Sequence, residues 1–316
     1  MNKLIKLLFL ITITGLIFSN AVYAEDLVFS KNIALDKKRI NADEKTRVML
    51  FTSKFSIFPQ FNQPAVFIQT PVLQGVDPLA ALIGALIGAK MANQLNETDR
   101  DTVIAFNNGL TQALSGININ QEIETALAAS LPQHPLFQKL SFEEVGHINE
   151  LAQAGLLIKI EEPSILTLAT RVYFDAQLKS VCVETNTKIW KKNEARPIYF
   201  SELNYSSSYL AESSKSALRE KWIANQGDLL KTKIREGITE ITHMLAQDLL
   251  ENPSIESISQ HPVLIETLNA NTSKKLKATL YRIEETPDRL IGRLGAPSSS
   301  ILSSIPKTNF TISSSN

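Results

Sequence analysis

The sequence predicts an α+β fold: a mostly antiparallel sheet, built around a β-meander and covered by helices, with a C-terminal β-hairpin. Three observations predict it. Residues 166–178 alternate apolar and polar side chains, as in a strand with one buried face. Residues 226–251 repeat apolar side chains every three or four positions, as in a long amphipathic helix. Polar turns separate further β-rich runs between 181 and 203, and short turns favour antiparallel pairing of neighbouring strands.

The first 24 residues are typical of a secretory signal peptide. Lys3 and Lys6 precede an apolar run over 7–18, and small residues favour cleavage after Ala24. The run is much shorter than the roughly 20 residues that span a bilayer. An uncleaved membrane anchor is the alternative. The residue directly after Ala24 is Glu25 and not a cysteine, so lipid attachment is not predicted. We therefore expect a periplasmic or secreted protein with no membrane span after cleavage.

Composition excludes some partners and cross-links. The 316 residues contain 32 basic and 32 acidic side chains, so the chain is formally neutral. A neutral chain lacks the clustered basic surface that nucleic acid usually requires, and no nucleic-acid partner is predicted. Cys182 is the single cysteine, which rules out an internal disulfide. Because it lies between two valines in a strand-like run, we expect its thiol to be buried.

The amino-terminal half predicts a leader, two strands and four helices. Asp77 and Pro78 form a helix start. Gly84 and Gly88 lie on a stripe of small side chains along the helix that follows, and this stripe predicts close packing against the sheet or, alternatively, against a membrane. A capping-box pattern at Ser141 predicts the start of the fourth helix. The elements are a flexible leader at 25–45, strands at 47–58 and 65–73, and helices at 79–95, 98–115, 120–130 and 141–155.

The carboxy-terminal half predicts the meander, the long helix and the hairpin. The long helix should cover the meander with its apolar face. Its opposite face should be solvated and carries Lys231, Lys233, Arg235, Glu236, Glu240 and Asp248. The elements are strands at 156–160, 165–178, 181–183, 188–191 and 198–203, a Ser-rich connector at 206–216, the helix at 226–251, and a hairpin of 276–283 with 289–294. The Ser-rich end, 297–316, is predicted to be disordered.

These elements predict five segments. They are a signal peptide at 1–24, a leader at 25–45, an α+β core at 46–253, a hairpin extension at 254–296 and a disordered tail at 297–316.

No motif predicts a catalytic residue, a cofactor or a metal site. The histidines have no metal-binding spacing, and they are His134, His147, His243 and His261. The acidic pairs Glu161–Glu162 and Glu284–Glu285 are expected at turns, where neighbouring side chains point in different directions. Five aromatic residues near the end of the meander favour a core role over an interface, and they are Trp190, Tyr199, Tyr205, Tyr209 and Trp222.

The layout of strands, helices, meander and long helix between 47 and 253 resembles small bacterial envelope domains. It is similar to the amino-terminal domain of TolB, to CsgG-like proteins of curli assembly, and to periplasmic proteins of proteobacteria. The resemblance implies an exported envelope protein and supplies no functional residue. The leading hypothesis is therefore a non-enzymatic periplasmic protein that acts through contacts with an envelope protein. The alternatives are a periplasmic hydrolase whose site assembles only in three dimensions, or a carrier of a small ligand.

Overall fold

The computed structural model describes residues 33–35, 37–40, 44–56, 97–133, 137–145, 161–175, 177–192, 194, 196–250, 259, 262–268, 275–299 and 301–312. All of them belong to one compact unit, Lys31–Asn316. The signal-like segment, the strand expected at 65–73, the helix expected at 79–95 with Gly84 and Gly88, and the strand expected at 156–160 lie outside the described residues.

Three α-helices and ten strands make up most of the described fold, which is α+β. The helices are α1 (Glu97–Leu114), α2 (Ile119–Ser130) and α3 (Lys215–Leu250). The strands are β1 (Thr46–Ser56), β2 (Leu140–Val145), β3 (Ser164–Phe174), β4 (Val181–Lys191), β5 (Tyr199–Ser206), β6 (Pro262–Leu268), β7 (Lys275–Glu285), β8 (Arg289–Leu294), β9 (Ile301–Pro306) and β10 (Phe310–Ile312). Among these, no helix is long and apolar enough to cross a bilayer.

All ten strands form one mixed sheet in the order β10-β6-β7-β8-β9-β5-β4-β3-β1-β2. The predicted meander is present with three strands, because β3, β4 and β5 pair antiparallel in sequence order. The strands expected separately at 181–183 and 188–191 are a single strand, β4. The predicted hairpin is present as β7 and β8. However, β1 is parallel to both β2 and β3, and β5 is parallel to β9. The prediction of a mostly antiparallel sheet therefore holds only in part.

Strand β3 has the predicted buried face. Leu166, Leu168, Val172 and Phe174 are each at most 1% exposed. The strand ends at Phe174 rather than at 178, since the Asp175 carboxylate accepts a 2.7 Å hydrogen bond from the Lys179 amide and closes a turn. The first half is buried on both faces, because Ile165 contributes to a separate apolar cluster. The alternating pattern therefore identified the face of β3 that packs against the helices. It did not predict that the opposite face is also buried in the first half of the strand.

Helix α3 packs on the meander, so the predicted covering of the sheet by helices holds in part. Its buried side chains include Ile234, Ile238 and Leu245, and they share a core with β3, β4 and β5. A side chain at Gly237 would meet Val183 and Tyr205 at less than 3 Å, so the helix lies directly on the sheet. The predicted start at 226 falls at a break in this helix, and a helical segment that begins at Lys215 precedes the break.

A break divides α3. The backbone is non-helical from Ala224 to Gly227, and Asn225, Gln226 and Gly227 have positive φ. At Gly227 a Cβ would lie 2.3 Å from the Ala113 Cβ of α1, so only glycine fits this approach. Before the break, Trp222 packs on Phe174 with ring centroids 5.1 Å apart. The break thus lets both parts of α3 contact the same core.

The prediction of a helix at 141–155 is wrong for residues 141–145, the part that the structure describes. Residues Leu140–Val145 form β2, whose register with β1 pairs Leu140 with Thr46 and Val145 with Phe51. The capping-box pattern is local, whereas the parallel ladder supplies hydrogen bonds from a distant strand. Tertiary pairing therefore overrides the local preference.

The prediction of a disordered tail is also wrong for 301–312. Strand β9 lies inside the sheet, between β5 and β8, and β10 pairs with β6. Its serines are not solvated: Ser303 and Ser304 are buried. Low hydrophobicity suggested disorder, but paired backbone groups and buried hydroxyls hold this segment in the sheet.

The described part of the leader is fixed to the fold instead of being flexible. Leu35 and Ile40 are buried in the core, at 2% and 4% exposure. Ile33 exchanges backbone hydrogen bonds with Phe200 of β5, at 3.1 and 3.3 Å. The sequence did not predict these contacts, because the leader has few apolar residues and they follow no clear period.

Candidate functional site

A cleft of about 530 Å³ lies between α3 and the strands beside it. Helix α3 contributes one face, spaced at i, i+3, i+4, i+7 and i+8. Opposite it, Tyr205 lies near the end of β5 and Arg289 begins β8. The lining residues are Tyr205, Thr232, Arg235, Glu236, Thr239, Glu240 and Arg289. The volume is within the range of about 300–1,000 Å³ that is usual for ligand sites.

Arg289 forms the floor of the cleft and is held on several sides. Its Nε donates to the Ser304 hydroxyl at 2.7 Å, and its Nη2 donates to the carbonyls of Ser206 and Ser304 at 2.8 Å. Its guanidinium carbon lies 4.4 Å from the centroid of the Tyr205 ring. Burial lowers the pKa of Arg289, although Tyr205 and Glu240 favour its charged form. These contacts fix the position of the guanidinium group.

The two glutamates of the cleft are also anchored. Glu240 accepts a 2.6 Å hydrogen bond from the buried Ser304 hydroxyl and lies 3.7 Å from Arg289. Glu236 pairs with Lys233 at 2.7 Å and accepts a 3.3 Å hydrogen bond from Tyr205. Burial, with a contribution from Glu236, raises the pKa of Tyr205, so its hydroxyl stays protonated and donates at neutral pH. The cleft therefore presents carboxylates that are held in place.

A buried ionic network lies farther along α3. The Asp248 carboxylate pairs with Arg293 and accepts a 2.8 Å hydrogen bond from the Tyr199 hydroxyl. Arg293 also donates to the carbonyl of Ser299 at 2.8 Å. Asp248 is only 3% exposed, so the prediction that it lies on a solvated face of the helix is wrong. This network connects α3 to β5 and β8 and holds one end of the helix against the sheet.

The other sequence candidates fall in several places. His243 on α3 lies 3.4 Å from Glu284, and the remaining three histidines lie outside the described residues. Glu284 and Glu285 belong to strand β7, not to the turn that was predicted. Glu162 is buried and pairs with Arg47 at 2.7 Å. Across the described residues, no group of three or more histidine, cysteine or acidic side chains is arranged to hold a metal ion.

The aromatic residues are mostly core, as predicted. Tyr199, Tyr205 and Trp222 are at most 4% exposed, whereas Trp190 and Tyr209 are partly buried. Cys182 is buried as predicted, and burial raises the pKa of its thiol to about 12.

Sequence reasoning missed the cleft itself. The spacing of 232–240 identified a polar helix face, but nothing local indicated that Arg289 and Ser304 would stand opposite it. Ser304 and Glu240 are 64 positions apart in the chain. The sequence did place Arg289 at the start of a predicted hairpin strand. Nothing in the sequence indicated which residues its side chain would contact.

No family model matches the chain, and no curated protein matches it significantly. Among solved structures, the chain is similar to the hypothetical protein CT253 from Chlamydia trachomatis, at 12% identity and a TM-score of 0.29. The match covers 66% of this chain and 99% of that protein. A likeness at this level carries no statement about function.

Proposed function

We propose that this chain is an exported, non-enzymatic protein of the cell envelope that acts through protein contacts, and that the cleft between α3 and β8 is its contact surface. The signal-like segment at 1–24 supports export. The observation that carries the contact role is the hydrogen-bonded set of Arg289, Ser304 and Glu240 in the cleft. A surface whose side chains are already held in place loses little conformational entropy when a partner binds.

The anchoring contacts form a continuous set. Ser304 bridges Arg289 and Glu240, with hydrogen bonds of 2.7 and 2.6 Å. Arg235 reaches Glu122 of α2 at 2.8 Å, which fixes the outer rim. Every charged group that lines the cleft therefore has a partner within the protein. Such an arrangement favours recognition by shape and hydrogen bonding over a reaction that needs a free base or nucleophile.

We also propose the finer description of the fold, a largely antiparallel sheet covered by helices like the TolB amino-terminal and CsgG-like envelope domains. The packing of α3 on β4 and β5 supports this relationship.

Export is tested by mass spectrometry of the protein made in its native host. We expect an amino terminus at Glu25. Recovery of Met1 in the membrane fraction would contradict cleavage and favour an anchor.

The contact role is tested by site-specific photo-crosslinking of the full chain in native envelopes. Thr239 and Thr232 are exposed in the cleft, and Thr125 is an exposed threonine on α2 that serves as the matched control. We expect one protein to be captured from both cleft positions and not from Thr125. Its purified form should then bind the purified chain, with weaker affinity for Arg235→Ala. Equal capture from all three positions, or none, would contradict the proposal.

A periplasmic hydrolase is the second candidate, because Glu236 and Glu240 line the same cleft four positions apart on one helix face. Paired carboxylates support hydrolysis when both face a substrate. The chain should be assayed against panels of glycosides and esters, with Glu240→Gln as the test variant. Turnover that is abolished in Glu240→Gln and retained in Glu124→Gln, on the exposed surface of α2, would establish this candidate in place of the contact role. A carrier of a small ligand is the third candidate, and only the volume of the cleft supports it.

A further inference from the structure

We infer that strands β6–β10 form a cooperative unit that opens while the meander and α3 remain folded, and that this opening takes the cleft apart. These strands, Pro262–Ile312, are called the C-terminal half-sheet below. The opening follows from three features of the structure: a separate core, a short ladder and a polar boundary. Its consequence for the contact surface rests on the proposed function.

The C-terminal half-sheet has a core of its own. Ile265, Leu280 and Leu290 are at most 2% exposed and form an apolar cluster apart from the main core. The partly buried side chains around this cluster also lie on β6–β10, and they are Val263, Ala278, Leu294, Ile305 and Phe310. The described apolar side chains of the half-sheet that reach the main core are Ile283, Ile291 and Leu302. Because apolar stabilisation grows with the area that is buried, this small core holds its strands less firmly than the main core holds the meander.

One short ladder joins the half-sheet to the other described strands. In the strand order, β6–β10 adjoin the rest where β9 meets β5. This ladder has four residue pairs, from Glu202 with Ile301 to Tyr205 with Ser304. In the meander, by comparison, β3 and β4 share eleven residue pairs. Separating β9 from β5 therefore breaks fewer backbone hydrogen bonds than opening the meander.

Several side-chain contacts across this boundary are polar. Arg293 of β8 pairs with Asp248 of α3. Arg289 of β8 donates to the carbonyl of Ser206 at 2.8 Å. Charged groups that separate into water regain their hydration, which offsets much of the attraction that is lost. The boundary therefore opens more readily than an apolar boundary of the same size.

Opening removes one side of the cleft. Arg289 lies on β8, whereas Tyr205 lies on β5 and Glu240 on α3. Ser304 of β9 donates to the Glu240 carboxylate at 2.6 Å. When the half-sheet opens, the cleft loses Arg289, and Glu240 loses this hydrogen bond. A partner that binds the assembled cleft therefore also stabilises the half-sheet, because it binds the closed state and not the open one.

Two matched thiols test the separate opening in the full chain. Cys182 on β4 and Ser303 on β9 are both 5% exposed. Ser303→Cys therefore adds a second buried thiol, which reacts with a maleimide when its surroundings open. Labelling is followed by mass spectrometry of the two peptides. We expect the new thiol to react at least about tenfold faster than Cys182, since local openings require less free energy than global unfolding. Equal rates would overturn the inference.

A matched pair of core substitutions separates the two openings. Ile189 on β4 and Ile265 on β6 are both fully buried, the first in the main core and the second in the core of the half-sheet. Hydrogen exchange of the backbone amides is measured in the unaltered chain, in Ile189→Val and in Ile265→Val. Ile265→Val should speed exchange in β7 and β8 about fivefold, the usual effect of this substitution in a core.

The discriminating result is the effect of Ile189→Val. It should speed exchange in β3 and β4 about fivefold and leave exchange in β7 and β8 unchanged, because the meander stays folded when the half-sheet opens. Equal acceleration in all four strands would show that the molecule opens as one unit, and the inference would be wrong.

The remaining outcomes separate this inference from the proposed function. If crosslinking at Thr239 captures a protein, its purified form should slow labelling of the Ser303→Cys thiol, and unchanged labelling would show that the cleft does not depend on the half-sheet. If the half-sheet does not open separately, the inference fails and the contact role stands on the crosslinking result. If crosslinking captures nothing, the contact role fails, and the thiol and exchange measurements still decide whether the half-sheet opens.

Discussion

Helix α3 meets the sheet in two different ways. Over the meander it contributes apolar side chains, and Trp222 packs on Phe174 with ring centroids 5.1 Å apart. Toward β8 and β9 it contributes acids, and Asp248 and Glu240 meet Arg293 and Arg289. One helix therefore makes two kinds of contact with the sheet, one apolar and one ionic. The apolar contact is tolerant of small shifts, whereas the ionic contacts require defined geometry.

The largest expected effect is in the apolar contact. Phe174 is fully buried, so Phe174→Ala should lower the free energy of unfolding by about 3–5 kcal/mol. Tyr173→Ala, the neighbour on the partly exposed face, should cost clearly less. Chemical denaturation followed by fluorescence measures both. Equal losses would show that the two faces of β3 are equally important to stability.

The second effect is in the buried ionic contact. Asp248→Ala leaves the Arg293 charge buried without its carboxylate and should cost about 3–5 kcal/mol. Asp248→Leu combined with Arg293→Met should recover most of this loss, because no uncompensated charge remains. Glu124→Ala, on the exposed surface of α2, is the control and should change stability by less than about 0.5 kcal/mol. A small loss for Asp248→Ala would mean that water reaches this network, and the contrast with the apolar side would then be weaker.

Alkaline pH should weaken the ionic contact selectively. Burial, with a contribution from Asp248, raises the pKa of Tyr199 well above its ordinary value near 10. The unfolded chain loses this proton first, so the contribution to stability is present below about pH 10 and is lost as pH rises toward the folded pKa. Thermal melting between about pH 8 and 11 should show a shallower decline for Tyr199→Phe than for the unaltered chain. Parallel declines would exclude Tyr199 as the titrating group.

The smallest effect should be at Tyr205, on the side of the cleft opposite α3. Tyr205→Phe removes one long hydrogen bond, which measures 3.3 Å from the Tyr205 hydroxyl to the Glu236 carboxylate. That carboxylate keeps its ion pair with Lys233. We expect a loss below about 1 kcal/mol in chemical denaturation. A loss comparable to that of Asp248→Ala would show that the cleft network supports the fold as a unit, not only the local geometry.

Much of the architecture was determined by local patterns. The alternation along β3 identified the face that is buried under the helices, and the repeat along α3 identified the side chains that cover the meander. Both signals are strong because burial of apolar area is approximately additive and requires no particular partner. The burial of Cys182 followed from its apolar neighbours in the same way.

Tertiary structure decided the features that depend on specific distant partners. Leu140–Val145 became a strand because β1 offered a parallel ladder, and Ile301–Pro306 entered the sheet because β5 and β8 bonded to both of its edges. Asp248 could not be distinguished from its solvated neighbours until Arg293, 45 positions away, was placed beside it. Ion pairs and β-ladders depend on distance and direction, and a sequence records neither for residues that are far apart.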